Sequence, residues 1–403
     1  MAALPPERFD QARWFGGKSH PSAASLVDAV ELSDGRGLVV VELAGEAYLL
    51  PALLETLEDV PASDRLWLEL AEIVRDGRTV GPLQGVPTVH AALLDAAGAP
   101  RALGADQSHT SIVLGERCVL KCYRRLGGGP NAEVELATYL SSSGMRRIPA
   151  VAGSLRFGAR DVALCQAYFG GTLDGWEGAK RDLASDTQRV GEWAAGIGSA
   201  LAELHALLIA RDGRPATRAE SEGWADAASA QLDRALSFAP HDVSWAEAIL
   251  RAQVEVLRRQ GGAIVSRVHG DFHLAQVLIR DGTVVAIVDL EGEPGRAAGE
   301  GRALGTPLRD VAGMLRSFNH VARFVGWKLG TPPPPEIEAW IAMARGAFLG
   351  AYLEHHEVDR ALLFALECEK ATYEFVYAAQ YLPYWTEVAA RSLRALLARV
   401  TEQ

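Results

Sequence analysis

Cysteine is scarce. The four, at positions 118, 122, 165 and 368 of 403 residues, show neither metal-ligand spacing nor the density of a disulfide framework, and read as reduced thiols. Positive charge is also in deficit. Forty Lys plus Arg stand against fifty-one Asp plus Glu, and the formal charge of -11 argues against nucleic acid or an anionic membrane as the main partner. Long apolar runs are missing as well: the longest stretch without a charged residue, 79–94, spans sixteen residues and contains Pro82, Gly85 and Pro87. That falls short of the roughly 20 apolar residues that span a bilayer, so no transmembrane helix is expected. Residues 1–8 have no basic n-region and no apolar core, so no secretory signal is expected and cytoplasmic residence follows. There is no internal repeat, and low complexity is confined to Pro332, Pro333, Pro334 and Pro335. What remains is an ordinary globular composition, 49% hydrophobic and 23% charged, long enough for two or three packed units. A monomer or dimer acting on a small molecule is the expectation.

Patterning divides the chain. Residues 27–31, 37–42 and 46–50 are short aliphatic or β-branched runs separated by Ser33-Asp34-Gly35 and Ala44-Gly45, the chemistry of an antiparallel meander. A helical period follows over 65–75, and the Gly/Pro stretch 81–87 suggests a boundary. Strand signals return at 110–114, 118–123 and 162–168, around a helix at 131–141. Beyond Gly170 the chain reads as helices at 186–210, 220–239, 244–260, 336–354 and 359–381, interrupted by one hairpin at 276–291. The expected plan is α+β and two-lobed: an N-terminal cap subdomain over 1–88, a strand-rich lobe over 89–169, and a mostly helical lobe over 170–403.

The hairpin carries the chemistry. Asp281-Gly282 between two β-branched runs is a preferred two-residue type I′ turn. The turn sets Ile287 opposite Gln276 and leaves Asp289 diagonal to it, within the roughly 7–8 Å of diagonal neighbours. Asp271, in His269-Gly270-Asp271-Phe272-His273, sits at the same open end. One loop carboxylate as a base, with an amide oxygen and a second carboxylate able to hold Mg²⁺, is the logic of phosphoryl transfer. That chemistry requires a strand lysine upstream, and Lys121 supplies it; Glu133 and Glu135 on the next helix are both candidates to pair with it. The loop 107–111, containing Ser108, offers hydroxyls and backbone N–H groups to phosphates.

HGDFHLAQ (269–276), VDLEGEP (288–294), PLRDVAGMLRSF (307–318), YEFVYAAQYLPYW (373–385) and RWFGGK (13–18) together resemble the maltokinase-like branch of the aminoglycoside-phosphotransferase, eukaryotic-like kinase superfamily. The resemblance covers essentially the whole chain, and within the branch it is most similar to the actinobacterial glucosamine kinases. It implies a protein-kinase-like fold, ATP and Mg²⁺ as cofactors, Asp271 as catalytic base, Gln276 and Asp289 as metal ligands, Lys121 on the α/β-phosphates with Glu135 as its partner, and Asp310 bracing the catalytic loop.

ATP is expected between the lobes, its adenine against the 164–168 strand that bears Gln166 and Tyr168. The acceptor side groups Asp271 and His273 with Glu291, Glu293, Glu374, Tyr377 and Trp385. Crowded carboxylates should raise one another's pKa unless cations neutralise them. Mg²⁺ accounts for two; the remainder suit a cationic acceptor, so an amino sugar is favoured, with glucosamine converted to its 6-phosphate. A neutral disaccharide such as maltose, or an aminoglycoside-type acceptor, is the alternative. Two other readings compete: a metallophosphoesterase, for which Asn319-His320 is the sole Asn-His pair, and a non-catalytic sensor. His355-His356-Glu357 has no further partner at ligand spacing and reads as a solvated helix end.

Overall fold

Short aliphatic runs separated by tight turns open the described chain. Strands Ala24–Glu31, Arg36–Leu43 and Glu46–Leu53 form the antiparallel meander, and Asp34, Gly35, Ala44 and Gly45 at its turns all have positive φ, as type I′ turns require. The computed structural model describes residues 3–4, 24–95, 98–104, 109–185, 189–238, 243–292, 303–329 and 335–401. The chain divides into two compact units that meet in sequence at Gly171 and Thr172.

In the first unit, Val39, Val41, Leu43, Tyr48 and Leu50 bury one face of the meander. A second, seven-stranded sheet runs in the order Thr79–Val80, Leu83–Pro87, Val151–Phe157, Arg160–Ala167, Cys118–Tyr123, His109–Leu114, Pro100–Ala102. Helix α1 (Leu66–Asp76) packs on Leu83–Pro87 and Val151–Phe157. The approach is close: a Cβ on Gly85 would lie 2.0 Å from the Ile73 carbonyl oxygen, so only glycine fits. The Gly/Pro stretch at 81–87 therefore marks a strand and its turn, and a boundary at residue 88 would cut through this sheet. Chain crossings bind the two sheets further. Arg125–Leu126 pairs with the meander strand Glu46–Leu53, and the Arg124 guanidinium, 2% exposed, donates to Asp59, Thr110 and the Leu49 carbonyl. Helix α2 (Ala132–Ser142) follows, capped by Asn131, whose side chain accepts from the Glu133 and Val134 N–H groups.

The second unit is mostly helical: α3 (Gly175–Ser185), α4 (Val190–Asp212), α5 (Arg218–Phe238), α6 (Glu247–Arg258), α7 (Leu308–Leu329), α8 (Pro335–Leu353), α9 (Arg360–Tyr381) and α10 (Thr386–Thr401). Leu232, Leu250, Phe375 and Leu393 form a core shared by α5, α6, α9 and α10. Helix α4 is long and apolar enough to cross a membrane, yet 56% of its most apolar window is buried, chiefly by packing on α8, as in a core helix. Helices α3, α7 and α10 and the strand Val151–Phe157 extend the elements read from the sequence. That strand is buried on both faces except at Arg156, so it lacks the alternation by which half-buried strands are recognised.

The hairpin consists of Val277–Arg280 and Thr283–Ile287, with Leu173–Asp174 as a third strand. Asp281 and Gly282 take the positive φ of the expected turn, and Arg280 faces Thr283. An irregularity between Leu278 and Ile279 then shifts the register by one, so Ile287 faces Val277 and not Gln276. The shift moves the polar end: the Val288 N–H donates to the Gln276 carbonyl at 2.9 Å, and Asp289 follows with φ +67°.

Candidate active site

Lys121 lies in Cys118–Tyr123, an inner strand of the seven-stranded sheet, and is 4% exposed. Its Nζ is 2.8 Å from Glu133 Oε2 and 3.1 Å from Oε1, and the Tyr123 hydroxyl donates to the same carboxylate at 2.7 Å. The partner is Glu133 and not Glu135. The Asn131 cap starts the helix at Ala132 and places both glutamates in its first turn, where Glu133 is buried against Lys121 and Glu135 is half-buried. The helix N-terminus also favours a carboxylate there. Gln166 and Tyr168 lie at the end of the neighbouring strand, where Gln166 faces Val119; the Tyr168 hydroxyl accepts from Arg101 at 3.1 Å. Ser108 lies outside the described residues.

In the second unit the loop bearing Asp271 is held from behind. Asp310, 1% exposed in the first turn of α7, accepts from the backbone N–H groups of His269 (2.8 Å) and Gly270 (2.9 Å) and lies 3.0 Å from His205 Nε2. His205 Nδ1 is in turn 2.9 Å from the Tyr352 hydroxyl, so the chain Tyr352, His205, Asp310 and loop backbone links α8, α4 and α7 to the loop. Burial pushes the Asp310 pKa up, but His205, His269 and the loop N–H groups hold it below the ordinary value. His269 Nε2 donates to the Val288 carbonyl at 2.9 Å, tying the loop to the hairpin.

Asp271 is thereby presented with a side chain 17% exposed, its Oδ2 3.5 Å from His273 Nε2 and its Oδ1 3.6 Å from Lys370 Nζ on α9. His273 caps the short turn Leu274–Gln276: its Nδ1 accepts from the Ala275 N–H at 3.2 Å, which leaves the proton on Nε2, facing Asp271. Burial raises the Asp271 pKa, yet His273 and Lys370 bring it below its ordinary value. Crowded carboxylates were expected to raise it; the opposing influence is burial instead, and the nearby nitrogens outweigh it.

Gln276 Nε2 donates to Asp289 Oδ2 at 3.0 Å, so register shift and left-handed Asp289 together keep this pair side by side. An amide and a carboxylate form an oxygen donor set suited to a hard cation, provided the amide turns its oxygen to the place its nitrogen holds here. Glu291 is half-buried just beyond, and Glu293 lies outside the described residues.

Lys370, Tyr373, Glu374, Tyr377 and Tyr381 share one face of α9. Glu374 Oε2 accepts from Arg316 Nη2 (2.7 Å) and Nε (3.0 Å) and lies 3.3 Å from His320 Nε2. Burial raises its pKa, but Arg316, His320 and Lys370 hold it low, while burial pushes His320 down. Glu374 thus anchors Arg316. Tyr377 and Tyr381 are exposed, with ring centroids 5.1 Å apart. Trp385 packs on Phe324 (4.9 Å) and stands edge-on to His320. His320 therefore belongs to this polar cluster, and Asn319 Nδ2 is bonded to the Leu315 carbonyl, an arrangement unlike a phosphoesterase metal pair. Lys370, His205, Arg316 and Tyr352 were missed by sequence reasoning. Lys370 alone had a signal, its helical spacing to Tyr373 and Glu374.

A strand lysine paired to a helix glutamate, and a braced aspartate loop running into a hairpin with an amide and carboxylate, define a kinase-like phosphotransferase. Residues 101–360 match the phosphotransferase enzyme family, and the chain belongs to it. Among curated proteins, the glucosamine kinase of Streptacidiphilus jiangxiensis is 34% identical over 324 residues, covering 74% of this chain and 73% of its own. That of Mycolicibacterium smegmatis is 32% identical over 323 residues, covering 74% and 79%. A solved glucosamine kinase in complex with glucosamine, ADP and inorganic phosphate is similar at a TM-score of 0.80 and 27% identity, over 98% of this chain and 100% of that one.

Proposed function

We propose that this protein is an ATP- and Mg²⁺-dependent glucosamine kinase that phosphorylates the 6-hydroxyl of its acceptor, with Asp271 as base. The observation that carries the reading is the seat of Asp271: an ionised carboxylate on a loop pinned by two backbone hydrogen bonds to Asp310. The glucosamine kinase relatives supply the acceptor class. A neutral disaccharide or an aminoglycoside-type acceptor is not favoured.

Lys121, fixed by Glu133, would neutralise the α/β-phosphates, with Ser108, Gln166 and Tyr168 as further nucleotide contacts. Gln276 and Asp289 would hold Mg²⁺, which supplies charge neutralisation on the phosphates when bound. Asp271 Oδ atoms accept the proton of the attacking hydroxyl, and His273 Nε2–H keeps that carboxylate oriented. Glu291, Glu293, Glu374, Tyr377 and Trp385 would complete the acceptor side, Glu374 through the Arg316 it anchors. In a loose transition state the base acts late, so catalysis here is mainly orientation and neutralisation of charge. Asp271→Asn should lose at least about 10³ in kcat while ATP still binds. Near-normal turnover of glucosamine by that variant would overturn the assignment. Phosphorus–carbon NMR couplings of the product identify the hydroxyl.

A further inference from the structure

An enzyme whose acceptor is a cation and whose base is an ionised carboxylate faces a hazard. The acceptor's ammonium is attracted to the base more strongly than its hydroxyl is, because a charge-assisted hydrogen bond is roughly twice as strong as a neutral one. An ammonium seated on Asp271 would put the wrong group before the phosphoryl and leave a dead-end complex.

We propose that Lys370 is a specificity-determining residue that keeps the acceptor's own ammonium off Asp271 and so leaves this carboxylate to a neutral hydroxyl. The proposal rests on the reading of Asp271 as the base. Three observations support it. Lys370 Nζ stands 3.6 Å from Asp271 Oδ1, the oxygen not turned to His273, so an incoming cation meets a like charge where it would dock. That distance is longer than the roughly 2.7–2.9 Å of a direct ammonium–carboxylate hydrogen bond, so Oδ1 keeps room for a hydroxyl donor. The Lys370 ammonium also lies 4.8 Å from the centroid of the Tyr373 ring, one turn along α9, a cation–π contact that holds the charge in place. Glu374, next on that face, already receives Arg316 at its Oε2.

The residue type fits the role. Only five of the forty basic residues are lysine, yet one of them stands here. An arginine fork would bind the carboxylate with two parallel hydrogen bonds and occupy the base, whereas a lysine is a point charge that repels a cation without covering both oxygens. The acceptor's ammonium is thereby directed to other carboxylates of the acceptor side, leaving a hydroxyl to approach Asp271.

Dead-end binding has a distinct kinetic signature: it lowers kcat and KM by the same factor and leaves kcat/KM unchanged. Lys370→Met, assayed in the full chain with ATP, Mg²⁺ and glucosamine, should lower both about tenfold, with kcat/KM within about twofold of the unmodified enzyme. Glucose, as a neutral competitor, should show an unchanged inhibition constant. Calorimetric binding of glucosamine should tighten about tenfold in Lys370→Met and return to the original value in Lys370→Met combined with Asp271→Asn. Lys370→Gln, a second neutral variant, repeats the test if the first melts early. A fall in kcat at unchanged KM, no change in either, or equal tightening for glucose would overturn the proposal. Near-normal turnover by Asp271→Asn alone would instead bring down the reading of Asp271 as base, so the two failures are distinguishable.

Discussion

The two units hold their functional charges in opposite ways. In the first, Lys121 is 5% exposed in its side chain and finds its partner, Glu133, twelve residues on, in a helix capped by the residue two before. In the second, Asp271 is 17% exposed and leans on residues far away in sequence: Asp310 behind its loop, His205 behind Asp310, and Lys370 in front. The first arrangement is local and closed, and removing one partner strands a buried charge. The second is assembled by packing of four helices and leaves one face of the carboxylate open, as a base requires.

The largest effect is expected where that long-range assembly is cut. Asp310→Ala strands two backbone N–H groups and the His205 imidazole; at about 1–3 kcal/mol for each unsatisfied group, the unit should lose several kcal/mol and turnover should fall at least about 10²-fold. Thermal denaturation and kcat check this, and a variant that keeps both would show that the loop holds itself. The acid side sharpens the point. Because the folded pKa of Asp310 is depressed, its contribution is complete above the unfolded value of about 3.9 and is lost as pH falls through the folded value. Denaturant midpoints measured down the acid range should drop more steeply in the unmodified protein than in the variant.

Cutting the local pair comes next. Glu133→Gln should cost about 3–5 kcal/mol of stability, since it leaves Lys121 charged and buried, and should raise the KM for ATP about tenfold. Glu135→Gln should stay within about 0.5 kcal/mol. Reversal of that order would restore Glu135 as the partner and remove the contrast between the units.

The smallest effect belongs to a pair outside both arrangements. Arg101 and Glu116 are 2.5 Å apart on exposed side chains, and Glu116→Gln should leave the melting temperature and kcat unchanged, because solvent screens such pairs. A clear loss there would mean that exposed charges also support the sheet.

Legibility followed sequence distance. The meander, the helix ends at Asn131 and Asp359, and the Asp281-Gly282 turn depend on side chains within a few residues of one another, and each was readable. The placement of Gln276 beside Asp289 was readable too, although the register was not: a bulge falls where Leu173–Asp174 pairs with Leu278 and Ile279, and no turn rule contains a third strand. Glu133 and Glu135, both in the first turn of α2, could not be told apart until packing brought the Glu133 carboxylate within 2.8 Å of Lys121. The Gly/Pro stretch 81–87, read as a boundary signal, holds the strand Leu83–Pro87, because a strand that lies under a helix needs a glycine and glycine also marks loops.

The amino-acid sequence by itself determined the order of elements, the family and the reactive types: a lysine on a strand, an aspartate after His-Gly, an amide and a carboxylate on one hairpin. These rest on short-range geometry and hydrogen bonds between near neighbours, which a linear string encodes. The tertiary structure alone decided the electrostatic state of Asp271. Its pKa comes from burial, His273 and Lys370, and its presentation from Asp310 behind the loop; Asp310 and Lys370 arrive on helices that begin about forty and ninety residues later. Coulomb interaction depends on distance in space and on what excludes water, and neither exists until α7 and α9 are packed against the loop.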